Sequence, residues 1–311
     1  MMQEAGRPAL VIASFWRRLG AFAIDALILG LGGLFIGALS FDGLARLGIY
    51  GRVLGFIIAL GYFGLFNSRY GEGQTPGKKL LGLRVVDAGG QCIALPKSLL
   101  RYAVLGLPFF LNNLPLGQPQ LESWWSYPLG IIVFGAGLSS IYLYIFNRRT
   151  RQSLHDLAVG TYVVRVADDQ VPAPLSPVWR GHGVVVGLLI VLPVAAAMLG
   201  QRLMGSGWLA DLTSVYQAVS VQPHVSRATV QKSFVSVNGR TSHYLVASLN
   251  LDASMVDDEN YARDIARIMA SKFPDVTSQN AVIVELVYGY DIGIASGRKS
   301  HRYSFKPEAL Q

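Results

Sequence analysis

Cysteine occurs once in 311 residues, at Cys92. A lone thiol excludes an intramolecular disulfide and any cysteine-based metal site, and such a residue ordinarily serves as a small apolar filler. Charge is scarce as well. Asp, Glu, Lys and Arg make up 15% of the chain and hydrophobic residues 51%, against about 25% charged in soluble domains, which argues against an ordinary soluble protein. Histidine is thin, and His224, His243 and His301 are too scattered to suggest a metal centre. The C-terminal third offers no nucleophile, base and acid set, so neither an enzyme nor a cofactor is expected.

Acidic residues are short only in the first two thirds. Residues 1–204 hold 17 bases against 9 acids, and residues 205–311 hold 10 of each. The net charge of +8 therefore belongs to the half that carries the apolar runs. Bases in short loops beside such runs set membrane orientation, so nucleic acid is not expected as a partner.

Five apolar runs are present: Arg18 to Leu39, Ile49 to Phe66, Leu99 to Leu114, Trp125 to Phe146 and Gly183 to Leu203. A spanning helix needs about 20 residues. The third run is the weakest, since it contains Arg101 and Pro108 and ends in Asn112-Asn113. The first exceeds a signal-peptide core and contains Asp25, so it is read as an uncleaved span. If all five cross, Arg17, Arg18, Lys78, Lys79, Arg148, Arg149 and Arg151 share one side and mainly Arg46 lies opposite. The positive-inside rule then predicts a cytoplasmic N-terminus, cytoplasmic segments 67–97 and 147–181, and an extracytoplasmic C-terminus.

Arg18 and Asp25 are seven residues apart and share a helix face, about 10 Å apart along the axis. An acid at that depth needs a partner and is a functional candidate by default. Arg18, another base such as Lys78, or a bound cation would serve. Asp25 suits either a structural pair or ion binding, and Arg18 either that pair or an interfacial anchor. Asp156 suits either a second carboxylate at the mouth of such a site or the cap of the turn before Thr161. His155 beside it is a pH-sensitive neighbour or a solvated one. Gly73 to Lys79 fails as a phosphate loop, because Lys79 stands where Ser or Thr is needed. Its glycines, proline and two lysines suit a turn near anionic headgroups.

Smaller elements complete the pattern. Leu83 to Asp87 and Cys92 to Leu95 flank a Gly-Gly turn and read as a β-hairpin, with which Thr161 to Val166 could pair. The expected domains are a membrane domain over 1–170, a Pro-rich linker over 171–182, a fifth span over 183–204 and an outer domain over 205–311. In the outer domain, Val230 to Val237 and Thr241 to Leu251 flank Asn238-Gly239, the strongest short hairpin signal. Asp257 and Asp258 can cap a helix over Glu259 to Phe273, and Val282 to Tyr290 and Tyr303 to Phe305 read as strands. The expected order is ββαββ, a small α+β domain, with Trp208 to Ser220 extending the fifth helix as a stalk.

Three motifs carry a family resemblance. Arg18-x-x-Ala21-x-x-Ile24-Asp25, Gly73 to Lys79 with Leu83 to Asp87, and Arg151 to Thr161 resemble, in that order over about residues 14–166, the RDD family of bacterial inner-membrane proteins. The resemblance implies a polytopic α-helical membrane protein with a four-helix bundle and a small cytoplasmic β element. It places the family's arginine and two aspartates on Arg18, Asp25 and Asp156, with His155, Lys78 and Lys79 as secondary candidates. It also implies transport of ions or small solutes, sodium/proton exchange among them. The alternative is a membrane-anchored scaffold or sensor whose outer domain binds a protein partner. Five spans are few for a solute pathway, so transport implies a homo-oligomer in the lipid bilayer.

Overall fold

The computed structural model describes residues 11–112, 124–166, 177–204, 207–237 and 239–310. Asn113, Leu114, Asn238 and residues 171–176 of the linker expected above lie outside them. The chain divides into two compact units: Met1–Gly33, Arg52–Met198 and Ile292–Ala295 form one, and Leu34–Gly51, Leu199–Asp291 and Ser296–Gln311 the other.

Among the described residues three helices are long and apolar enough to cross a bilayer: α1 (Phe15–Leu39), α6 (Ser126–Phe146) and α8, whose apolar part is Arg180–Leu199. Their outward faces are apolar rather than polar. Phe35 is 67% exposed and Val184 67%, which water would penalise and acyl chains would not. A shorter apolar helix, α3 (Tyr50–Phe66), follows α2 (Phe41–Arg46). Then come α4 (Pro76–Leu80), β1 (Leu83–Asp87) and α5 (Leu95–Leu111). Helix α5 thus begins four residues earlier than the hydropathy suggests, because Pro96 suits the first helical turn, where its missing N–H is no loss.

Helices α3 and α5 interlock through rings. Phe63 stacks on Tyr102 with centroids 4.7 Å apart, and Ala59 and Phe110 complete the buried cluster. Helix α8 (Arg180–Met204) packs on α6 through small residues. A Cβ at Gly135, inside a π-helical stretch of α6, would meet the Ile190 backbone at 3.1 Å. Close approach at small residues is the usual way helices associate in lipid, and Tyr142 adds a 2.9 Å hydrogen bond with His182 Nδ1.

The β element of this unit differs from the expected hairpin. Strand β1 pairs with β2 (Thr161–Arg165), which follows α7 (Leu154–Val159), and residues 92–94 form no strand. The Asp87 carboxylate folds the Gly-Gly turn by accepting from Gly89 N at 2.8 Å and Gln91 N at 3.0 Å. The Ile93 carbonyl then accepts from Arg69 N at 2.8 Å, drawing the chain away from β1. Leu83, Val85, Ile93 and Val163 form a small buried core with Ala13 and Ala21, each large side chain contributing about 1.5–3 kcal/mol.

The second unit is built on a four-stranded sheet in the order β3 (Val225–Val237), β4 (Arg240–Leu251), β5 (Ala281–Asp291), β6 (Ser296–Phe305). Strands β4 and β5 are parallel, so they need a crossover. Helix α10 (Glu259–Lys272) supplies it. Asp258 caps α10 by accepting from Tyr261 N at 2.9 Å, and Ala262, Ile265, Ala266 and Met269 form its buried stripe. They cover Leu245, Ala247, Leu249, Val282, Val284 and Leu286.

One expectation is corrected here. The segment Gly207–Ser220, α9, is not a free stalk: Val215 and Val219, one turn apart, are both fully buried in this core. Helix α2, which follows α1, packs on β5. Phe41 meets Tyr290 edge-on with centroids 5.6 Å apart, Tyr288 donates to Asp42 at 3.1 Å, and Ala45 joins the core.

Candidate functional site

The polar residues of the first unit gather where α1 and α5 begin and α6 ends. After α6 the chain makes a tight turn whose polar groups are satisfied internally. Asn147 Nδ2 donates to Thr150 Oγ1 at 2.7 Å and to the Gln152 carbonyl at 3.0 Å, and Gln152 donates to the Thr161 carbonyl at 2.9 Å. Ser153 and Asp156 then form a capping box at the start of α7. Gly160 ends that helix at φ 60°, a conformation glycine adopts without strain.

Asp156 is fully buried and is the hub. Arg18 Nη2 donates to its Oδ2 at 2.6 Å, and Arg101 donates to its Oδ1 from Nη2 at 2.5 Å and from Nε at 3.0 Å. Ser153 N adds a bond at 3.3 Å. Arg18 also donates through Nη1 to the Arg151 carbonyl, holding Arg151 at φ 54°. Burial alone would push the Asp156 carboxyl up. Arg101, His155 and Arg18 outweigh it and hold the group far below the usual carboxylate range.

Asp25 does not pair with Arg18. Its carboxylate takes three uncharged donors: Tyr62 Oη at 2.9 Å, Thr75 Oγ1 at 2.5 Å and Gly77 N at 2.8 Å. Thr75 is also the N-cap of α4. The donor that a phosphate loop would turn toward its ligand is here given to an acid of α1. Gly77 permits the approach, since a Cβ there would lie 2.2 Å from the Ala21 carbonyl oxygen.

Lys78 points inward from the same turn, its Nζ donating to Asn67 Oδ1 at 2.8 Å, while Lys79 is exposed. Burial, then the charges of Arg101 and Arg18, lower the Lys78 ammonium to about 7 against the opposing pull of Asp25 and Asp156. His155 is buried with Nε2 3.5 Å from Asp156 Oδ2. Burial and the surrounding bases lower it to about 3, against the pull of Asp156, so it is neutral near pH 7. Its Nδ1 has no hydrogen-bond partner among the described residues.

Of the residues singled out from sequence, the structure joins Arg18 to Asp156, sets His155 beside them, keeps Asp25 in its own set of donors and leaves Lys79 outside. Arg101, Thr75 and Tyr62 were missed. Arg101 had a readable signal, an arginine inside an apolar run, which calls for a buried acid. In the second unit the histidines stay apart, His224 pairing with Asp252 at 2.9 Å and His301 with Asp257 at 2.8 Å, both exposed. No group of three or more metal-ligating side chains occurs among the described residues.

Comparison with known proteins agrees with the motif order. The model of the RDD family matches residues 12–160. The chain is 27% identical over 151 residues to the uncharacterized protein YckC of Bacillus subtilis (strain 168), covering 49% of this chain and 83% of that protein. No solved structure matches the chain.

Proposed function

From a chain whose residues 12–160 match the model of the RDD family, we propose a membrane-anchored scaffold or sensor of the bacterial inner membrane, in which the buried charges are a structural latch and the outer domain binds a protein partner. The observation that carries the latch is the occupancy of both acids. Asp156 is filled by two guanidinium groups and a backbone N–H, and Asp25 by two hydroxyls and a backbone N–H. A transported cation needs carboxylate oxygen left open to it, and these oxygens are already engaged. What the bonds accomplish is mechanical. They tie α4, α7 and the β1–β2 pair to the ends of α1 and α5.

The reading places five crossings, the N-terminus in the cytoplasm and the sheet outside. Charge asymmetry supports it. So does the packing of α2 on β5, since α2 follows the first span and the sheet follows the fifth. Partner binding is supported by the β3–β4 hairpin, where Phe234, Val235 and Val237 are exposed apolar residues on a soluble-type domain.

The second reading is ion or solute transport by an oligomer through Arg18, Asp25 and Asp156. Lys78 favours it, because an ammonium that titrates near 7 among two acids and two arginines could exchange protons. Two measurements on the full chain separate the readings. Vesicles containing it should show no sodium-dependent proton flux, and residues 1–204 alone should insert but fail to rescue a null strain. Flux in the vesicles, or rescue by the truncated chain, would overturn the scaffold reading.

A further inference from the structure

Beside the latch lies a cavity of about 350 Å³ between α1, α5 and α6, within the range of small-molecule sites. Its walls are divided. Phe15, Leu19, Phe22, Leu105, Ile141 and Ile145 make most of it apolar, and Arg18, Lys78, Arg101 and His155 stand at one end. Among the described residues no acidic side chain lines it. We propose that this cavity binds an anionic phospholipid of the cytoplasmic leaflet, its phosphate at the Arg18, Lys78 and Arg101 end and an acyl chain along Leu19, Phe22 and Ile141.

Three observations converge on that occupant. The first is charge. Arg18, Arg101 and Lys78 face two acids, Asp156 and Asp25, whose oxygens are taken by protein donors. The cluster is closed to a cation and carries one base in excess. An anion beside Lys78 would also offset the burial, and the charges of Arg101 and Arg18, that lower it. The second is unmet hydrogen bonding. His155 Nδ1 and Ser140 Oγ line the cavity or belong to residues that do, and neither has a partner among the described residues. His155 is 5% exposed, so bulk water does not serve it.

The third is depth and exit. Arg18 lies in the first turn of α1, Arg101 in the second turn of α5 and Tyr144 in the last turn of α6. At 1.5 Å per residue these are within about 10 Å of the helix ends, the level of headgroups. Leu19, Phe22, Ile141 and Ile145 are exposed on outward helix faces, so the mouth opens toward acyl chains rather than toward water. A soluble anion would have to enter past them. The site rests on the excess base and the lipid-facing mouth, and holds whether or not the latch also moves a proton.

The test uses the full chain, delipidated in non-ionic detergent, with thermal stability read against added lipid. Phosphatidylglycerol should half-saturate at about tenfold lower mole fraction than phosphatidylcholine of the same chains, roughly one Lys or Arg contact to an anionic headgroup. Sodium phosphate and laurate should each give less than either lipid. Lys78→Gln should reduce the tenfold preference to within about twofold, and Ser140→Leu, which fills the cavity, should weaken both lipids about equally, by roughly tenfold, if a single site is being read. Lys79→Gln, outside the cavity, should change neither. Equal response to the two lipids, full stabilisation by phosphate or laurate alone, or a preference that survives Lys78→Gln would overturn the assignment.

Discussion

Replacing Asp156 with Asn tests whether the buried charges hold the membrane unit together. Asp156→Asn keeps the shape and one acceptor oxygen but removes the charge that Arg18 and Arg101 share at 2.6 and 2.5 Å. Both guanidinium groups then stay buried, 7% and 5% exposed, without the carboxylate they pair with. Breaking one partner of a buried pair typically costs about 3–5 kcal/mol, and a domain's whole stability is about 5–15 kcal/mol. Thermal unfolding of the solubilised full chain should therefore fall by on the order of 10 °C. The triple change Arg18→Met, Arg101→Met, Asp156→Leu should recover most of the loss, because a buried ion cluster replaced by apolar groups of similar volume is often near neutral. An Asp156→Asn chain within about 1 kcal/mol of the parent, on a scale where buried-pair loss is several times larger, would refute the latch.

Gly77→Ala should lower stability by about 1–3 kcal/mol, the usual effect of overpacking, since its Cβ would fall 2.2 Å from the Ala21 carbonyl oxygen and 2.9 Å from Asp25 Oδ1; an unchanged melting curve would show that α4 is not docked there. His155 titrates near 3 when folded and near 6.5 when unfolded, so between those values the unfolded chain binds more protons and stability falls as pH drops. Unfolding at pH 7 and 4.5 should show a drop that His155→Gln reduces, and an identical drop in the variant would contradict it. Residues 207–311 should fold alone with an exchange-protected core, whereas 221–311, lacking Val215 and Val219, should not; protection in the shorter fragment would mean that α9 is dispensable.

How far the sequence revealed this depended on the range of each interaction. The cap and stripe of α10 lie within sixteen residues, and Asp258, Ala262, Ile265, Ala266 and Met269 fall where local pattern places them. Strand β1 was legible, but its partner was not. The Gly-Gly turn after Asp87 is a strong local hairpin signal, and only the Arg69–Ile93 bond and the pairing to β2 overrule it. Helix α9 hid behind the apolar run before it, although Val215 and Val219 repeat at one turn. For the site, Arg18 and Asp156 were found through motif order, while Arg101 was discounted as a flaw in a weak span. Charge in such a run is better treated as a demand for a buried partner. The Tyr62 and Thr75 hydroxyls carried no sequence signal, because an uncharged donor to Asp25 looks like any other residue of its helix or turn.

Asp25 and Asp156 should respond differently to the same chemistry, and the difference decides between latch and transporter. Asp25 is held by neutral donors. In Asp25→Asn the side-chain oxygen can still accept from Gly77 N and Tyr62, and the new amide can donate to Thr75 Oγ1, whose hydroxyl can accept. What is lost is the extra strength of bonds to a charged acceptor, about 1.5–3 kcal/mol against 0.5–1.5 for neutral ones, so a net loss of roughly 1–2 kcal/mol is expected, well short of Asp156→Asn. A transport role would invert that order, since a proton- or cation-exchanging acid cannot be replaced by an amide at all. The decisive sample is full-length Asp25→Asn that inserts and melts within a few degrees of the parent. If vesicles containing the parent conduct sodium-coupled protons and vesicles containing this variant do not, Asp25 is an exchanging group and the structural assignment fails; if the variant rescues a null strain as well as the parent does, its carboxylate serves to dock α4.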